Sequence, residues 1–199
     1  MAIKRSPAAA SNRLWLVRHA APLVAPGTCY GALDVPADAQ ATRAAAERLA
    51  TALPPGTRVA HSTLQRCELL AHDLQALRPD LTFAPDARLR EMDFGRWEGL
   101  TWDAIGKSAI DTWVAGFATH APGGGESLAH MLHRVAAALQ TAREWRNDQG
   151  TMDVVWITHA GVARCVAWLQ ERGESALPRS EDWPAAAPGW GDWEIRELA

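Results

Sequence analysis

Two short apolar runs, each followed within two residues by a histidine, constrain the fold of this chain more than any other feature. Residues 13–17 read Arg-Leu-Trp-Leu-Val, and residues 153–158 read Asp-Val-Val-Trp-Ile-Thr. Apolar runs of this length, without regular polar alternation, are typical of strands that are covered on both faces. Both runs are therefore predicted to be buried strands of an α/β protein.

The rest of the chain alternates between helical and strand patterns. Helices are predicted where apolar side chains recur three or four residues apart. They cover residues 38 or 39 to 52, 64–77, 127 onward and 162–170, and further strands are predicted at 58–61, 81–83 and 193–198. Ser62 is expected to cap the second helix, and residues 89–117 are expected to be irregular. Alternating strands and helices favour an α/β sandwich around a mostly parallel sheet.

The composition favours one globular domain. Of 199 residues, 48% are hydrophobic and 22% are charged, which is the mix of an ordinary soluble protein. The formal net charge of -3 argues against a general binder of nucleic acid or of anionic membranes. No apolar stretch reaches the ~18 residues of a membrane helix. We expect a flexible N-terminal arm over residues 1–12 and a single domain over residues 13–199.

The cysteines indicate a reducing environment. Cys29, Cys67 and Cys165 are scattered, and their odd number excludes a self-contained set of disulfides. Reduced thiols and a cytoplasmic location are therefore expected.

Charged and polar side chains follow the predicted strands at the points where the strands end. Arg18 and His19 follow the first strand, Arg66 lies in the helix after the second, Glu91 follows the third, and His159 follows the fourth. In open parallel sheets, ligands bind beyond the carboxyl ends of the strands. The sheet is therefore expected to bring two guanidinium groups, two imidazoles and one carboxyl group to one edge.

This set of groups suits phosphoryl transfer without a metal. The transferred phosphoryl group spreads negative charge over three oxygens, and planar guanidinium groups match those oxygens. A neutral imidazole can attack phosphorus, while a second, protonated imidazole stabilises the charge. A protonated carboxyl group can give its proton to the leaving oxygen and later accept one from water.

Five motifs occur along the chain in a fixed order. They are 16–20 (Leu-Val-Arg-His-Ala), 62–67 (Ser-Thr-Leu-Gln-Arg-Cys), 89–99 (Leu-Arg-Glu-Met-Asp-Phe-Gly, then Trp-Glu-Gly), 124–127 (Gly-Gly-Glu-Ser) and 158–162 (Thr-His-Ala-Gly-Val). In this order they resemble the histidine phosphatase superfamily, also called the phosphoglycerate mutase-like family. The resemblance covers residues 13–198, nearly the whole chain.

The resemblance implies a fold and a set of roles. The fold is a three-layer α/β/α sandwich, and neither a metal nor an organic cofactor is expected. His19 is implied to be the phosphorylated nucleophile, Arg18, Arg66 and His159 the phosphate pocket, and Glu91 the proton donor. The expected partner is a small-molecule phosphomonoester, with no nucleic acid and no membrane; a homodimer is one option for the assembly.

Within the family, residues 29–36 and 91–99 look most like alpha-ribazole phosphatases, which remove a phosphate late in the assembly of the cobalamin lower ligand. Two features depart from the family pattern. Ala20 replaces the usual glycine after the nucleophile, and the first loop lacks the usual asparagine. Thr28 or the backbone is expected to supply the missing donor, and Trp102 is a candidate for stacking on an aromatic substrate.

The sequence leaves several alternatives open. The chain could be a mutase, a phosphatase of sugar phosphates or nucleotides, or a non-catalytic sensor of phosphorylated ligands. Glu98 and Asp93 compete with Glu91 for the role of proton donor. Trp97 and Trp113 could border the site with Trp102, or all three could simply pack their segment shut.

Two further motifs are weak. His130 and His133, with Glu126 or His120, could ligate a metal, but a His-x-x-His pair on a helix is a poor metal signature. Ser127 lies in a sequence close to the nucleophile elbow of α/β-hydrolases, with Asp148 or Asp153 and His159 completing a triad. That elbow needs a preceding strand, which the glycine-rich sequence before Ser127 does not favour.

Overall fold

The fold was taken from a computed structural model that describes residues 12–145 and 153–198. The strands are β1 (Arg13–Arg18), β2 (Arg58–His61), β3 (Thr82–Pro85), β4 (Val154–Thr158) and β5 (Trp193–Glu197). The helices are α1 (Ala39–Ala52), α2 (Gln65–Leu77), α3 (Trp102–Ile105), α4 (Lys107–Ala115), α5 (Leu128–Glu144) and α6 (Ala160–Arg172). The predicted N-terminal arm lies outside the described residues except for Asn12, whose carbonyl accepts the amide of Leu198.

The five strands form one sheet in the order β3-β2-β4-β1-β5. The pairs β1–β4, β2–β4 and β2–β3 are parallel, and β5 is antiparallel to β1 at one edge. Arg18 lies opposite Thr158 in the central pair, so β1 and β4 end at the same level. The residues that follow these strands must therefore emerge side by side at one edge of the sheet. This topology confirms the predicted α/β class.

Helices cover both faces of the sheet because the central strands are apolar on both sides. In β1, Leu14 and Leu16 pack with α5 and α6, whereas Trp15 and Val17 pack on the opposite face with α1 and α2. Every residue of β4 is buried. The result is the expected three-layer sandwich with two apolar cores, one on each side of the sheet.

The helix ends show why each helix begins where it does. The side chain of Asp38 accepts the amide of Ala41 at the start of α1, and the side chain of Ser127 accepts the amide of His130 at the start of α5. These caps satisfy amide groups that have no partner inside a helix. The prediction that Ser62 is the cap of α2 is wrong, because Leu64 occupies the cap position before Gln65. The Ser62 hydroxyl accepts the amide of Leu64 (3.3 Å) and also contacts a functional side chain described below.

Three other elements differ from the predictions. Strand β3 covers Thr82–Pro85 rather than 81–83, and α6 starts at Ala160, directly after His159. The segment 89–117 is not wholly irregular, since it contains α3 and α4. Gly106 separates these two helices with a φ of 83°, a backbone conformation that side-chain-bearing residues rarely adopt. Short helices of this kind escape detection because they bury no continuous apolar stripe.

The three cysteines carry free, buried thiols, in agreement with the expectation that they are not paired. Among the helices of the described ranges, none combines the length and the apolar character needed to cross a lipid bilayer.

Helix α2 offers a matched test of the core. Leu74 is fully buried in the core beside α1, whereas Leu77, at the end of the same helix, is 48% exposed. We expect Leu74→Ala to lower the free energy of unfolding by about 2–5 kcal/mol, because it removes buried methyl groups and leaves a cavity. Leu77→Ala should cost less than about 1 kcal/mol. Urea unfolding of both variants checks this, and equal losses would contradict the assigned packing.

Candidate active site

His19 lies directly after β1 and is almost completely buried. Its backbone amide donates to the carbonyl of Thr158 in β4 (3.1 Å), and its Nδ1 lies 2.6 Å from the carbonyl oxygen of Ala20. A carbonyl oxygen can only accept a hydrogen bond, so Nδ1 must carry the proton. In the neutral ring, Nε2 is then left with a free lone pair, which is the form that a nucleophile requires.

The surroundings of His19 keep its ring neutral. Burial lowers its pKa from 6.5 to about 3, and the positive charges of Arg66 and Arg18 contribute to this fall. The hydrogen bond to Ala20 opposes the fall. An imidazole with so low a pKa is unprotonated, and available as a nucleophile, at neutral pH.

His159 caps the start of α6 and is also buried. Its ring centroid lies 5.1 Å from that of His19. Its Nε2 is 2.8 Å from the hydroxyl of Ser62 and 3.5 Å from the thiol of Cys67. Its Nδ1 is buried and has no hydrogen-bond partner among the described residues, although buried polar atoms in proteins are normally paired. Burial, followed by the charge of Arg66, lowers the pKa of His159 well below 6.5.

Arg66 is a fully buried cation held by backbone carbonyls. Its Nη1 donates to the carbonyl of Leu33 (2.9 Å) and its Nη2 to that of Gly31 (2.6 Å), while its Nε has no partner in the part of the chain that the structure describes. No carboxylate among the described residues forms an ion pair with it. An unpaired charge is costly to bury, so this arrangement is suited to binding an anion.

Arg18 supplies a second cation to the same edge. Its Nη1 donates to the carbonyl of Pro188 (3.2 Å), and its guanidinium lies over the ring of Trp190 (5.2 Å to the centroid). Its Nε is buried and finds no hydrogen-bond partner within residues 12–145 and 153–198. Burial lowers the pKa of Arg18. Arginine nevertheless keeps its charge at neutral pH.

Glu91 lies beside these groups, and Gly161 makes room for it. The Oε2 of Glu91 accepts the amide of Gly161 (3.0 Å), and its Oε1 accepts the amide of Met92 (3.1 Å). A Cβ atom at position 161 would lie 2.1 Å from the Glu91 Oε1, far inside any allowed contact. Gly161 is therefore a positioning residue that sequence reasoning missed. The His-Ala-Gly sequence after β4 carried the only signal for it.

Glu98, a rival candidate for the proton donor, has a different task. Its carboxylate accepts four backbone amides, those of Gly31 (2.9 Å), Ala32 (2.9 Å), Leu33 (2.8 Å) and Phe94 (2.9 Å). These bonds occupy its oxygens and fix the loop whose carbonyls hold Arg66. Glu98 thus orients the Arg66 guanidinium indirectly, through the backbone of that loop. This role is not apparent in the sequence, because Glu98 is more than sixty residues away from the loop.

One cavity of about 360 Å³ unites these side chains. Its polar lining includes Arg18, His19, Arg66 and Glu91. Its remaining wall is mainly apolar and aromatic and includes Phe94, Trp102, Trp113, Phe117, Met131 and Trp183. The structure thus brings the sequence-predicted residues together at one site. His159 belongs to this site through its ring contact with His19, which lines the cavity.

Two further residues proposed for substrate binding, Thr28 and Trp102, also line the cavity. An isolated antiparallel β-bridge to Thr101, the residue before α3, holds Thr28 in this position. Trp102 stacks on Trp113, with ring centroids 6.4 Å apart and 9° between the planes. Trp97 packs edge-on against Trp113. Trp102 and Trp113 therefore both pack the segment shut and form part of the cavity wall, whereas Trp97 takes part in the packing and is not among the residues that line this cavity.

Ala20 causes no backbone strain. Among the described residues, every positive φ belongs to a glycine, so Ala20 adopts a conformation that any residue can reach. Its methyl group is buried. The departure from the family's usual glycine therefore leaves the His19 geometry intact.

The weak motifs of the sequence have structural tasks instead. Glu126 forms an ion pair with Arg134 (2.7 Å), and Ser127 caps α5. A turn at Pro122–Gly124, rather than a strand, precedes Ser127, which removes the basis for a nucleophile elbow. Asp153 pairs with Arg13, and Asp148 lies outside the described residues. In the described ranges, no three His, Cys, Asp or Glu side chains group closely enough to hold a metal ion.

Comparison with known proteins gives results in line with this geometry. A sequence model of the histidine phosphatase superfamily (branch 1) matches residues 14–186. Phosphoglycerate mutase-like protein 4 of Arabidopsis thaliana is 30% identical over 158 residues, which are 76% of this chain and 66% of that protein. The match thus spans about two thirds of the plant protein.

Solved structures show the same likeness. The mycobacterial glucosyl-3-phosphoglycerate phosphatase is 30% identical, with a TM-score of 0.73 over 94% of this chain and 90% of that chain. The protein TTHB049 from Thermus thermophilus is 29% identical, with a TM-score of 0.64 over 92% of each chain.

The buried imidazole of His19 should make the protein sensitive to acid. In the unfolded chain His19 takes up a proton near its ordinary pKa of 6.5, whereas in the folded protein it stays neutral down to about 3. The unfolded state therefore binds more protons in this range, and stability falls as the pH falls. We expect His19→Gln to reduce the slope of unfolding free energy against pH, by up to about 1.4 kcal/mol per pH unit.

The measurement is urea unfolding in phosphate-free buffers from pH 7 to about pH 4. His72→Gln is the control, since His72 is an exposed histidine of α2. The control should keep the wild-type slope. An unchanged slope in His19→Gln would show that the His19 imidazole is not held neutral by the fold.

Proposed function

The chain belongs to the histidine phosphatase superfamily, and we propose that it is a metal-independent phosphomonoesterase that acts through a phosphohistidine intermediate. One observation carries the proposal: the bond from Nδ1 to the Ala20 carbonyl leaves the lone pair of the His19 Nε2 free, beside the guanidinium groups of Arg18 and Arg66, which form no ion pair with any described residue. A neutral nucleophile next to unpaired cations is suited to attack on a phosphate dianion.

The proposed first step transfers the phosphoryl group to the enzyme. The His19 Nε2 forms a bond to phosphorus while the bond from phosphorus to the ester oxygen breaks. Glu91, in its protonated form, gives its proton to the departing oxygen. Arg18, Arg66 and His159 each have a buried nitrogen without a hydrogen-bond partner, and these nitrogens serve the phosphoryl oxygens.

The proposed second step releases phosphate. A water molecule forms a bond to phosphorus while the bond from phosphorus to the His19 Nε2 breaks. The Glu91 carboxylate accepts the proton of that water and is ready for the next cycle. The low pKa of His19 favours this step, because a weakly basic imidazole is a good leaving group.

We propose alpha-ribazole 5′-phosphate as one candidate substrate, and the cytoplasm as the place of action. The resemblance of residues 29–36 and 91–99 to alpha-ribazole phosphatases supports this choice, as does the aromatic wall formed by Trp102 and its neighbours. A second candidate class is the phosphorylated sugars and sugar acids, favoured by the likeness to the mycobacterial glucosyl-3-phosphoglycerate phosphatase.

The first test is phosphate release in the presence of EDTA. The panel holds p-nitrophenyl phosphate, alpha-ribazole 5′-phosphate, 3-phosphoglycerate and several nucleotides and sugar phosphates. We expect wild-type turnover and, for His19→Ala, a loss of about 10³-fold or more with the fold retained, because the nucleophile is gone. Substantial activity of His19→Ala would refute the nucleophile, and saturable binding without turnover by the wild type would favour a sensor.

Gly161→Ala tests the placement of Glu91. The added methyl group must displace the Glu91 carboxyl group, so kcat/KM for an alkyl phosphate should fall about 10²-fold or more. The fall should be smaller for p-nitrophenyl phosphate, because p-nitrophenolate leaves without a proton. Glu91→Gln should show the same dependence on the leaving group. Equal losses for both substrates would mean that Glu91 does not protonate the leaving oxygen.

A further inference from the structure

A largely buried ion pair contacts the chain segment that carries Glu91. The guanidinium of Arg134, on α5, donates to both carboxylate oxygens of Glu126, from Nε to Oε1 (2.7 Å) and from Nη2 to Oε2 (2.8 Å). The two side chains are 19% and 18% exposed. A pair joined by two parallel hydrogen bonds fixes the plane of the guanidinium as well as its position.

The same guanidinium binds the backbone on which Glu91 is carried. The Nη1 of Arg134 donates to the carbonyls of Arg88 (2.6 Å) and Arg90 (2.7 Å), and its Nη2 donates to the carbonyl of Glu91 (3.3 Å). Within the described residues, the carbonyls of Arg90 and Glu91 accept no other hydrogen bond. The segment lies between β3 and α3 and belongs to no strand. Arg134 therefore supplies the hydrogen bonds that a neighbouring strand would otherwise give it.

The Gly-Gly-Glu-Ser motif at residues 124–127 holds the chain on the other side of Glu91. The amide of Glu126 donates to the carbonyl of Asp93 (2.7 Å). A Cβ atom at Gly125 would lie 2.3 Å from the same carbonyl oxygen, so glycine is needed for this close approach. The chain is thus fixed on both sides of the proposed proton donor.

The carboxyl group of Glu91 itself is held only by backbone amides, those of Gly161 and Met92. No ion pair among the described residues includes it. An arginine bound directly to its oxygens would keep the group ionised, because a nearby positive charge favours the charged form of a carboxyl group. Contacts to the backbone fix the position of Glu91 and leave its carboxyl group free to take up and release a proton.

We propose that Arg134, oriented by Glu126, is a positioning residue for the proton donor. It holds the backbone of residues 88–91 so that the Glu91 carboxyl group reaches the leaving oxygen. The inference rests on the proposed phosphatase function and adds to it two residues that lie outside the lining of the substrate cavity. Since neither residue touches the substrate, their effect is confined to the steps in which Glu91 moves a proton.

Two substrates with different leaving groups test this role. Ethyl phosphate needs a proton on its departing oxygen, whereas p-nitrophenyl phosphate does not. We expect Arg134→Lys to lower the ratio of kcat/KM for ethyl phosphate to that for p-nitrophenyl phosphate by about tenfold or more, mainly through kcat, because a lysine cannot reach all five acceptors and a displaced catalytic group is costly. Glu126→Gln should lower the ratio by a smaller factor, since the carbonyl contacts of Arg134 remain. Equal losses for both substrates in Arg134→Lys would overturn the proposal, because a general loss of structure does not depend on the leaving group.

Arg78→Lys is the matched control. The side chain of Arg78 is 16% exposed, and its guanidinium likewise donates to both oxygens of one carboxylate and to three backbone carbonyls. The carboxylate belongs to Asp80, and the carbonyls belong to Ala50, Leu53 and Pro54. None of these residues lines the substrate cavity. The control removes the same kinds of contact elsewhere and should keep the wild-type ratio; a fall as large as in the test variant would overturn the proposal.

A double variant tests whether Arg134 acts through Glu91. In the Glu91→Gln background, adding Arg134→Lys should lower kcat/KM for ethyl phosphate by less than about twofold, because the proton that Arg134 helps to place is already absent. Losses that multiply would show that Arg134 affects the rate by another route, and would overturn the proposal.

The amide resonance of Gly161 gives a measurement that does not depend on turnover. This amide donates to the Glu91 Oε2 (3.0 Å), so its proton chemical shift reports where the carboxyl group lies. In the isotope-labelled, intact protein we expect an upfield shift in Arg134→Lys and in Glu91→Gln, and none in Arg78→Lys. An unchanged Gly161 resonance in Arg134→Lys would overturn the positioning role, whatever the enzyme hydrolyses. A shifted resonance in a protein that hydrolyses no ester would support the placement of Glu91 and refute the phosphatase function instead.

Discussion

The parallel pairing of β1 with β4 is the constraint on which the rest of the site depends. The register places Arg18 opposite Thr158, and the amide of His19 donates to the Thr158 carbonyl. Both strands are packed by helices on two faces, so a one-residue shift of register would turn every side chain from one core to the other and disrupt the packing of both. The hydrophobic cores thus fix, through this register, the position of the two imidazoles at one edge of the sheet.

The site is rich in positive charge that the described residues do not neutralise. Backbone carbonyls hold Arg18 and Arg66, and a carbonyl orients His19. Carbonyls supply direction without full negative charge, so the cations remain available to an anion. The one carboxylate that supports Arg66, that of Glu98, does so through the amides of the intervening loop. These groups lower the stability of the fold locally, because burying cations and neutral imidazoles without their ligand costs free energy.

The comparison of sequence with structure shows which signals are local. The apolar runs and the spacing of α1 and α5 predicted most strands and helices to within a few residues, because these elements bury continuous faces. The capping role of Ser62 was predicted wrongly, since α2 starts two residues later than a Ser62 cap requires and the Ser62 hydroxyl contacts His159 at the end of the neighbouring strand. Helices α3 and α4 were missed because they have little apolar periodicity of their own.

The sequence by itself determined the fold class, the family and the chemical types of the candidate catalytic groups, because these follow from local patterns and ordered motifs. Only the tertiary structure decided how those groups are protonated, positioned and paired. The proton on the His19 Nδ1, the space that Gly161 leaves for Glu91, and the unpaired cation of Arg66 each depend on a contact or on its absence among the described residues. The contact of Gly161 with Glu91 joins residues far apart in the chain. The contact of His19 with its neighbour Ala20 is local, but the burial that surrounds it exists only once the chain has folded.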